Sequence, residues 1–341
     1  MQMRDDLGIT TKLENGKAYL EFALPEKIGR LLSALQIEIW EGAEGERLVF
    51  HGEYSSEEAD SMTALLLRPH LWDGMRDPYV YLVKAQGRFR SVEYGEKMGG
   101  MEKEEKLDPA EDITGEVEMY WRQELTIYDV RVVEKKGILL NEKEFLPHEV
   151  VYRLPPQISD AGTRVEQVRR DLERLVQMGV NVIRLEGTGT GAEGVNCSEV
   201  RTFYSLCRKR GFLTGDLWIR PEILPVYRGL PGETMAEALL AADGRTLTER
   251  YYYYQAKWSS EPVLYPVLST LHRQENGLLS LTIYSNQKKV VLYVDGLLFL
   301  FQTAASGDPE FIFEDIPVEK LPLHLAAEAG NLSISLTVTK L

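Results

Sequence analysis

Two cysteines, Cys197 and Cys207, are all that 341 residues contain. Two thiols cannot staple a chain this long, and no Cys/His grouping has the spacing of a zinc site, so no metal is implied. Both read as reduced, structural residues of a cytoplasmic protein. No run of eighteen apolar residues occurs, so no spanning helix is expected. The opening "MQMRDDLGIT" lacks the apolar core of a secretory signal. Positive charge is also short: 39 Lys and Arg stand against 53 Asp and Glu, for a net charge of −14. That balance excludes the basic face that phosphate binding needs, so neither nucleic acid nor an anionic membrane is an expected partner. The glycine-rich "EGTGTGAEG" at 186–194 lacks both Lys-Ser/Thr after its glycines and GxGxxG order, and it carries two acids. No nucleotide or other cofactor is implied.

What is present is an ordinary globular mixture, 44% apolar and 27% charged, long enough for two or three domains. Residues 17–24, 33–40, 46–51 and 61–68 read as strands. In "LQIEIW" Leu35, Ile37 and Ile39 alternate with Gln36 and Glu38, the period of a half-buried strand. Turn chemistry separates the strands at 14–17, 41–46 and 54–60. "YVYLVKA" and "EMYWRQELTIYDVRVV" (118–133) continue the series with no helical pattern between them. An antiparallel β-sandwich over residues 1–136 is expected, with the charge-dense stretch 94–116 as a surface loop.

The pattern changes after residue 136. "TRVEQVRRDLERLVQMG" (163–179) predicts an amphipathic helix, with Val165, Val168, Leu172, Leu175 and Val176 inward and Arg164, Arg169, Arg170 and Glu173 facing water. "VNVIRL" (180–185) reads as a buried parallel strand. A helix near 198–210, with Val200, Phe203, Tyr204 and Cys207 inward, a strand "FLTGDLW" (212–218) and a short helix at 233–244 follow. From Tyr251 the spacing predicts strands to the end, placing successive members of the Tyr251–Tyr254 tetrad on opposite faces. The expected architecture is multidomain β and α/β: sandwiches at 1–136 and 251–341 flanking an α/β segment at 137–250.

"RPHLWDGMRDPYVYLV" resembles the end of the immunoglobulin-like domain that precedes the barrel in glycoside hydrolase family 2, with Pro69, Leu71, Trp72, Pro78 and Tyr81 matching. "GILLNEKEFLP" resembles that family's approach to its barrel, except that Asn141-Glu142-Lys143 has lost the glycine of an Asn-Gly-Lys turn. Asp171, Asn181 and Arg184 match the first barrel helix and second strand. Tyr204, Cys207, Gly211 and Asp216 match the next helix and strand, though Leu217 stands where the family has Glu. "YYYYQAKWSSEPVLYPVL" and "SNQKKVVLYVDGLLF" resemble the exit from the barrel and the sandwich after it in β-galactosidase-like members. The resemblance implies two immunoglobulin-like β-sandwiches around a shortened, incomplete (β/α) barrel.

Between Gly137 and Tyr251 lie about 110 residues, whereas a complete barrel takes roughly 250 and rarely under about 200. The family's acid/base and nucleophile glutamates, late in its barrel, have no counterpart here. A retaining glycosidase needs two carboxylates about 5–5.5 Å apart. The candidates at strand ends are Glu186 and Asp216, with Glu193 in the loop between. Tyr252, Tyr254 and Trp258 are candidates to stack on a sugar ring, and His148 is the one histidine that merits inspection. Three readings stay open: a catalytically degenerate carbohydrate-binding or assembly module, an active retaining β-glycosidase with relocated carboxylates, and a purely structural interaction protein. Apolar edges on a shortened sheet imply a cover, either this chain's own helices and its 219–250 segment, or a second copy or another chain.

Overall fold

The structure is a computed structural model that describes residues 7–92, 113–134, 136–155, 161–186, 197–214, 224–229, 238–305 and 307–340. Most of the 94–116 loop, the 187–194 glycine-rich loop with Glu193, and Asp216 lie outside the described residues. The chain divides into two compact units, residues 1–145 and 146–341.

The first unit holds β1 (Gly8–Glu14), β2 (Lys17–Ala23), a short α1 (Glu26–Gly29), β3 (Leu32–Glu41), β4 (Arg47–Ser55), β5 (Thr63–Leu67), β6 (Tyr81–Val92), β7 (Ile113–Leu125), β8 (Val130–Val133), β9 (Gly137–Leu140) and β10 (Lys143–Phe145). Antiparallel sheets β1-β2-β5 and β4-β3-β6-β7 close on one core. The alternation in β3 does what its period predicts: Leu35, Ile37 and Ile39 are buried in that core, with Gln36 and Glu38 on the other side of the strand. β1, not expected from sequence, is joined to β2 through Asn15 and Gly16, both at positive φ (53° and 72°), the hairpin geometry whose twist matches that of strands. The stretch 118–133 is two strands, not one.

Between them runs the segment that receives Trp72. Its ring is buried, its backbone N–H donates to the Ile127 carbonyl at 2.9 Å, and its backbone carbonyl accepts the Asn141 side-chain amide at 2.9 Å. His70 holds Asp77 at 2.6 Å and stacks on Tyr79 with centroids 3.8 Å apart. The proline- and tryptophan-bearing turn is thus a seam sealing the end of the core. Sheet β10-β9-β8 completes the unit, and its β9–β10 turn puts Asn141 and Glu142 at φ 49° and 67°.

The second unit begins with β11 (Glu149–Tyr152), α2 (Ala161–Met178), β12 (Val182–Leu185), α3 (Cys197–Lys209), β13 (Leu213–Thr214), β14 (Val226–Arg228), β15 (Ala238–Leu240) and α4 (Glu249–Trp258). All five strands are parallel, in the order β13-β12-β11-β14-β15. Val150 and Tyr152 of β11 and Ile183 and Leu185 of β12 meet Val168, Leu172 and Leu175 of α2 and Phe203 and Cys207 of α3 in one core. Two expectations on α2 are corrected. Val176 is 38% exposed, because the buried stripe is narrower than drawn, and Arg164 does not face water but pairs with Glu199 at 2.7 Å. The expected helix at 233–244 is corrected too, since its described residues, 238–244, begin with the strand β15, whose three residues are buried at 0–2%, and continue into a turn.

The order of the sheet reverses at β11. A ring of staves with its middle cut out would place the later strand, β15, beside β11; here β14 takes that place and β15 lies outside it.

Tyr251–Tyr254 are helical, not extended, so the alternate-face argument fails for them. α4 starts after Thr248, whose hydroxyl donates to the Ala238 carbonyl at 2.7 Å, and carries Glu249 in its first turn, where the helix dipole favours an acid. Tyr251 is buried in the core below the parallel sheet. The rest of the unit is antiparallel: β16 (Leu264–Arg273), β17 (Leu279–Ser285), β18 (Lys289–Val294), β19 (Leu297–Thr303), β20 (Glu310–Ile316), β21 (Leu323–Ala329) and β22 (Leu332–Val338). Sheets β16-β17-β20 and β19-β18-β21-β22 share a third core around Leu281, Ile283, Leu292, Phe311 and Phe313.

Candidate functional site

In an open parallel sheet, ligands bind past the carboxyl ends of the strands where the strand order reverses. Here that point lies between β11 and β14. The residue after β11 is Arg153, and the residue after β12 is Glu186. Both oxygens of Glu186 are turned to the Arg153 guanidinium: Nε donates to Oε2, and Nη2 lies 3.3 Å from Oε1. Arg153 Nη1 also donates to the Arg228 carbonyl at 3.2 Å, tying β11 to β14. The expected catalytic candidate is therefore one half of a clamp, and its proposed partner Asp216 lies outside the described residues.

Behind the clamp sits a buried polar cluster that the search for catalytic pairs overlooked. Asp171 of α2 is 1% exposed. Its Oδ2 accepts the Tyr152 hydroxyl at 2.9 Å and Arg228 Nη2 at 2.6 Å; its Oδ1 accepts the Tyr227 hydroxyl at 3.1 Å. Burial first, and then the Asp171 charge, pushes both phenols well above their ordinary range. The two rings stack with centroids 5.5 Å apart. Every strong acceptor on Asp171 is taken, which makes the cluster a bolt joining α2 to β11 and β14.

The other residues matched to the family behave alike. Asn181 accepts the His148 N–H at 2.7 Å and donates to the Leu146 carbonyl at 2.8 Å, and Arg184 pairs with Glu149 at 2.8 Å. His148 holds the Gly179 carbonyl at 2.8 Å and stacks on Trp258; burial lowers its pKa.

An open groove of about 740 Å³ lies between α4 and the sheet face of β16 and β17, lined by Tyr253, Tyr254, Tyr265, Tyr284, Glu249 and Arg250. Tyr265 and Tyr284 are cross-strand partners, so their rings share one face of the sheet. α4 lays its own tyrosines over them: Tyr252 stacks flat on Tyr265 at 3.7 Å, and Tyr253 meets Tyr284 edge-on at 5.5 Å. Glu249 accepts the Ser269 N–H at 3.0 Å, which fixes the carboxylate at the groove. Burial, followed by the charges of Glu310 and Glu249, pushes the Tyr284 hydroxyl up to about 12, so it stays a donor at neutral pH.

Of the three aromatic candidates, Tyr254 lines the groove, Tyr252 is committed to Tyr265, and Trp258 packs against His148 and Tyr254. Glu249, Tyr253, Tyr265 and Tyr284 were missed. A helical period applied to "TERYYYYQAKW" would have found the first two. Among the described residues no group of three His, Cys, Asp or Glu could hold a metal ion. No described helix is long and apolar enough to cross a membrane.

No family profile matches the chain, and no curated protein sequence matches it. Solved structures do. An FMN-binding β-glucuronidase from Facaelibacterium prausnitzii L2-6 is 14% identical over 98% of this chain and 74% of its own, with a TM-score of 0.61. A putative β-galactosidase from Bacteroides fragilis is 13% identical over 97% and 72%, with a TM-score of 0.62. A glycosyl hydrolase family 2 member from Bacteroides cellulosilyticus DSM 14838 is 12% identical over 98% and 63%, with a TM-score of 0.57. This β-rich multidomain chain is therefore similar in fold to family 2 glycosidases, and it spans less than two thirds of the last.

Proposed function

We propose that this chain is a catalytically degenerate relative of the family 2 glycosidases, with immunoglobulin-like sandwiches either side of a reduced α/β core, and that it binds a carbohydrate without cleaving it. The observation that carries this reading is the groove beside α4. Tyrosine rings offer the apolar faces on which sugar C–H groups stack, and their hydroxyls, Glu249 and Arg250 offer donors and acceptors at the rim. Against hydrolysis stand the length of chain between the flanking β segments and the clamp of Arg153 on Glu186. An arginine occupies both oxygens that a reacting glycoside would need.

The test is a titration calorimetry panel of oligosaccharides, run beside nitrophenyl β-galactoside, β-glucuronide and β-mannoside assays. The expected result is saturable binding that weakens at least about tenfold in Tyr254→Ala, the cost of one lost stacking ring, with no turnover. Turnover abolished by Glu186→Gln would instead establish an active glycosidase with relocated carboxylates. A panel silent in both assays would leave a purely structural interaction protein.

A further inference from the structure

The first unit has a hollow on the solvent face of its sheet β4-β3-β6-β7, and the groove beside α4 shares no residue with it. Its cause is local. β3 slips register against β6 between Leu32 and Ala34, so Ser33 is an extra residue with no partner on β6, a β-bulge. Bulges re-aim side chains, and here Ser33 and Ala34 both line the hollow. Opposite Ala34 on β4 stands Ser55, which is also small. Three short side chains therefore make a floor. Gln36 and Glu53, the next cross-strand pair, rise along one side of it. Gln86 and Arg88 of β6 and Glu118 of β7 rise along another, and Glu58 stands at the end of β4. The hollow measures about 580 Å³, within the roughly 300–1,000 Å³ of small-molecule sites.

Several of these side chains are held in place. Gln86 Nε2 donates to the Tyr120 hydroxyl at 3.1 Å, and that hydroxyl donates to Glu118 Oε2 at 2.6 Å. Glu58 accepts the Ser55 backbone N–H at 3.0 Å. Arg88 stands directly across from Glu118 in the register, yet it has no ion-pair partner among the described residues, so its guanidinium is free to donate into the hollow.

We propose that this hollow is a second carbohydrate site, which takes a short uncharged glycan. Its walls decide the ligand's chemistry. Glu53, Glu58 and Glu118 outnumber Arg88, which works against a phosphate or a carboxylated sugar. Arg88, unpaired in the wall, works against an organic cation. Polar walls with so little carbon also disfavour an apolar ligand. What fits is a molecule dense in hydroxyls. An amide, a guanidinium and a carboxylate each present two polar atoms in one plane, and such a pair can hold two neighbouring hydroxyls of a sugar ring. Tyr120, paired with Gln86 in the register, is 66% exposed with its hydroxyl fixed on both sides, so its ring offers an apolar face to sugar C–H groups.

Saturation-transfer NMR on the whole chain tests this, with lactose, cellobiose, mannobiose and xylobiose as probes and glucuronate and putrescine as charged controls. The variant Tyr254→Ala removes a ring from the groove beside α4 and so isolates the hollow. Transfer to at least one uncharged disaccharide is expected to persist in Tyr254→Ala. It is expected to vanish when Ala34→Trp is added, because the indole fills the floor, with the circular dichroism spectrum unchanged. If that chain fails to fold, Tyr254→Ala with Arg88→Ala decides: losing a charged donor should weaken binding about tenfold or more. Transfer absent from Tyr254→Ala would overturn the proposal, even where the wild type binds sugar through its groove. So would transfer only to glucuronate or putrescine, or transfer undiminished once the hollow is filled or Arg88 truncated. The carbohydrate reading of the groove is judged separately, by the signal lost between the wild type and Tyr254→Ala.

Discussion

Replacing Asp171 by asparagine removes one charge and almost no volume from a fully buried polar cluster. The side chains of Asp171 and Arg228 are 1% and 5% exposed and meet at 2.6 Å. Taking away one partner strands the guanidinium in a place water cannot reach, and breaking a buried pair in this way costs about 3–5 kcal/mol. In a unit spanning 146–341, that should lower the unfolding temperature by roughly 6–20 °C, at about 2–4 °C per kcal/mol. The informative experiment is a double-mutant cycle read by urea unfolding: Asp171→Asn, Arg228→Met, and both together. If the bolt is what joins α2 to β11 and β14, the double variant is less damaged than the sum of the singles, by a coupling energy of about 2 kcal/mol or more. A loss under about 1 kcal/mol for Asp171→Asn, or strict additivity, would refute the argument that this carboxylate holds the parallel sheet together.

Three other perturbations have expected outcomes. Glu142 sits at φ 67° with its side chain 70% exposed and paired with Arg131. A left-handed residue other than glycine costs about 1–2 kcal/mol, an exposed pair is worth at most about 1, and glycine's added freedom in the unfolded chain takes back about 0.5. The balance runs from about −0.5 to +1.5 kcal/mol, so Glu142→Gly should raise the stability read by urea unfolding by about 0.5 kcal/mol, and a loss greater than about 0.5 would count against the turn assignment. Trp72→Ala should cost about 3–5 kcal/mol, because a fully buried ring leaves a cavity that the flanking prolines cannot collapse; an unchanged melting curve would show that the seam is dispensable. At high pH, burial holds the Tyr81 phenol up at about 12, whereas an unfolded tyrosine ionises near 10. Its contribution is intact below pH ~10 and is lost as pH climbs toward 12, roughly 2 kcal/mol by the end. Absorbance at ~295 nm should show a late group of tyrosines ionising together with loss of the fold. Uniform ionisation near pH 10 with the fold intact would sink this.

What could be read from the sequence was whatever one element decides for itself. The alternation through Leu35, Ile37 and Ile39 needs only a pleated strand with one dry face, and the Val168–Leu172–Leu175 stripe needs only a helix lying on a sheet. Elements whose nature depends on their neighbours could not be read that way. "ALL" at 238–240 has helix-forming residues and suits a helix by itself, yet it is a strand because β14 pairs with it and the core takes all three of its residues. "YYYYQAKW" has strand-forming residues, yet it is a helix in which Tyr251 is buried in the parallel-sheet core with Tyr252, Tyr254 and Trp258 packed against it, while Tyr252 and Tyr253 also reach Tyr265 and Tyr284. The same reasoning explains why the site was only half visible. A search for paired carboxylates finds Glu186 because acids at strand ends can be seen in a string of letters. It cannot see that Arg153, thirty-three positions earlier, takes both of its oxygens. The groove needs a helix, two strands and a cross-strand pair to come together before any of its tyrosines becomes a surface. A relationship spread over several elements carries no local mark, so in this chain the acid that looked catalytic, Glu186, is held in a clamp, and Tyr253, Tyr265 and Tyr284, which nothing in the string brings together, line the groove.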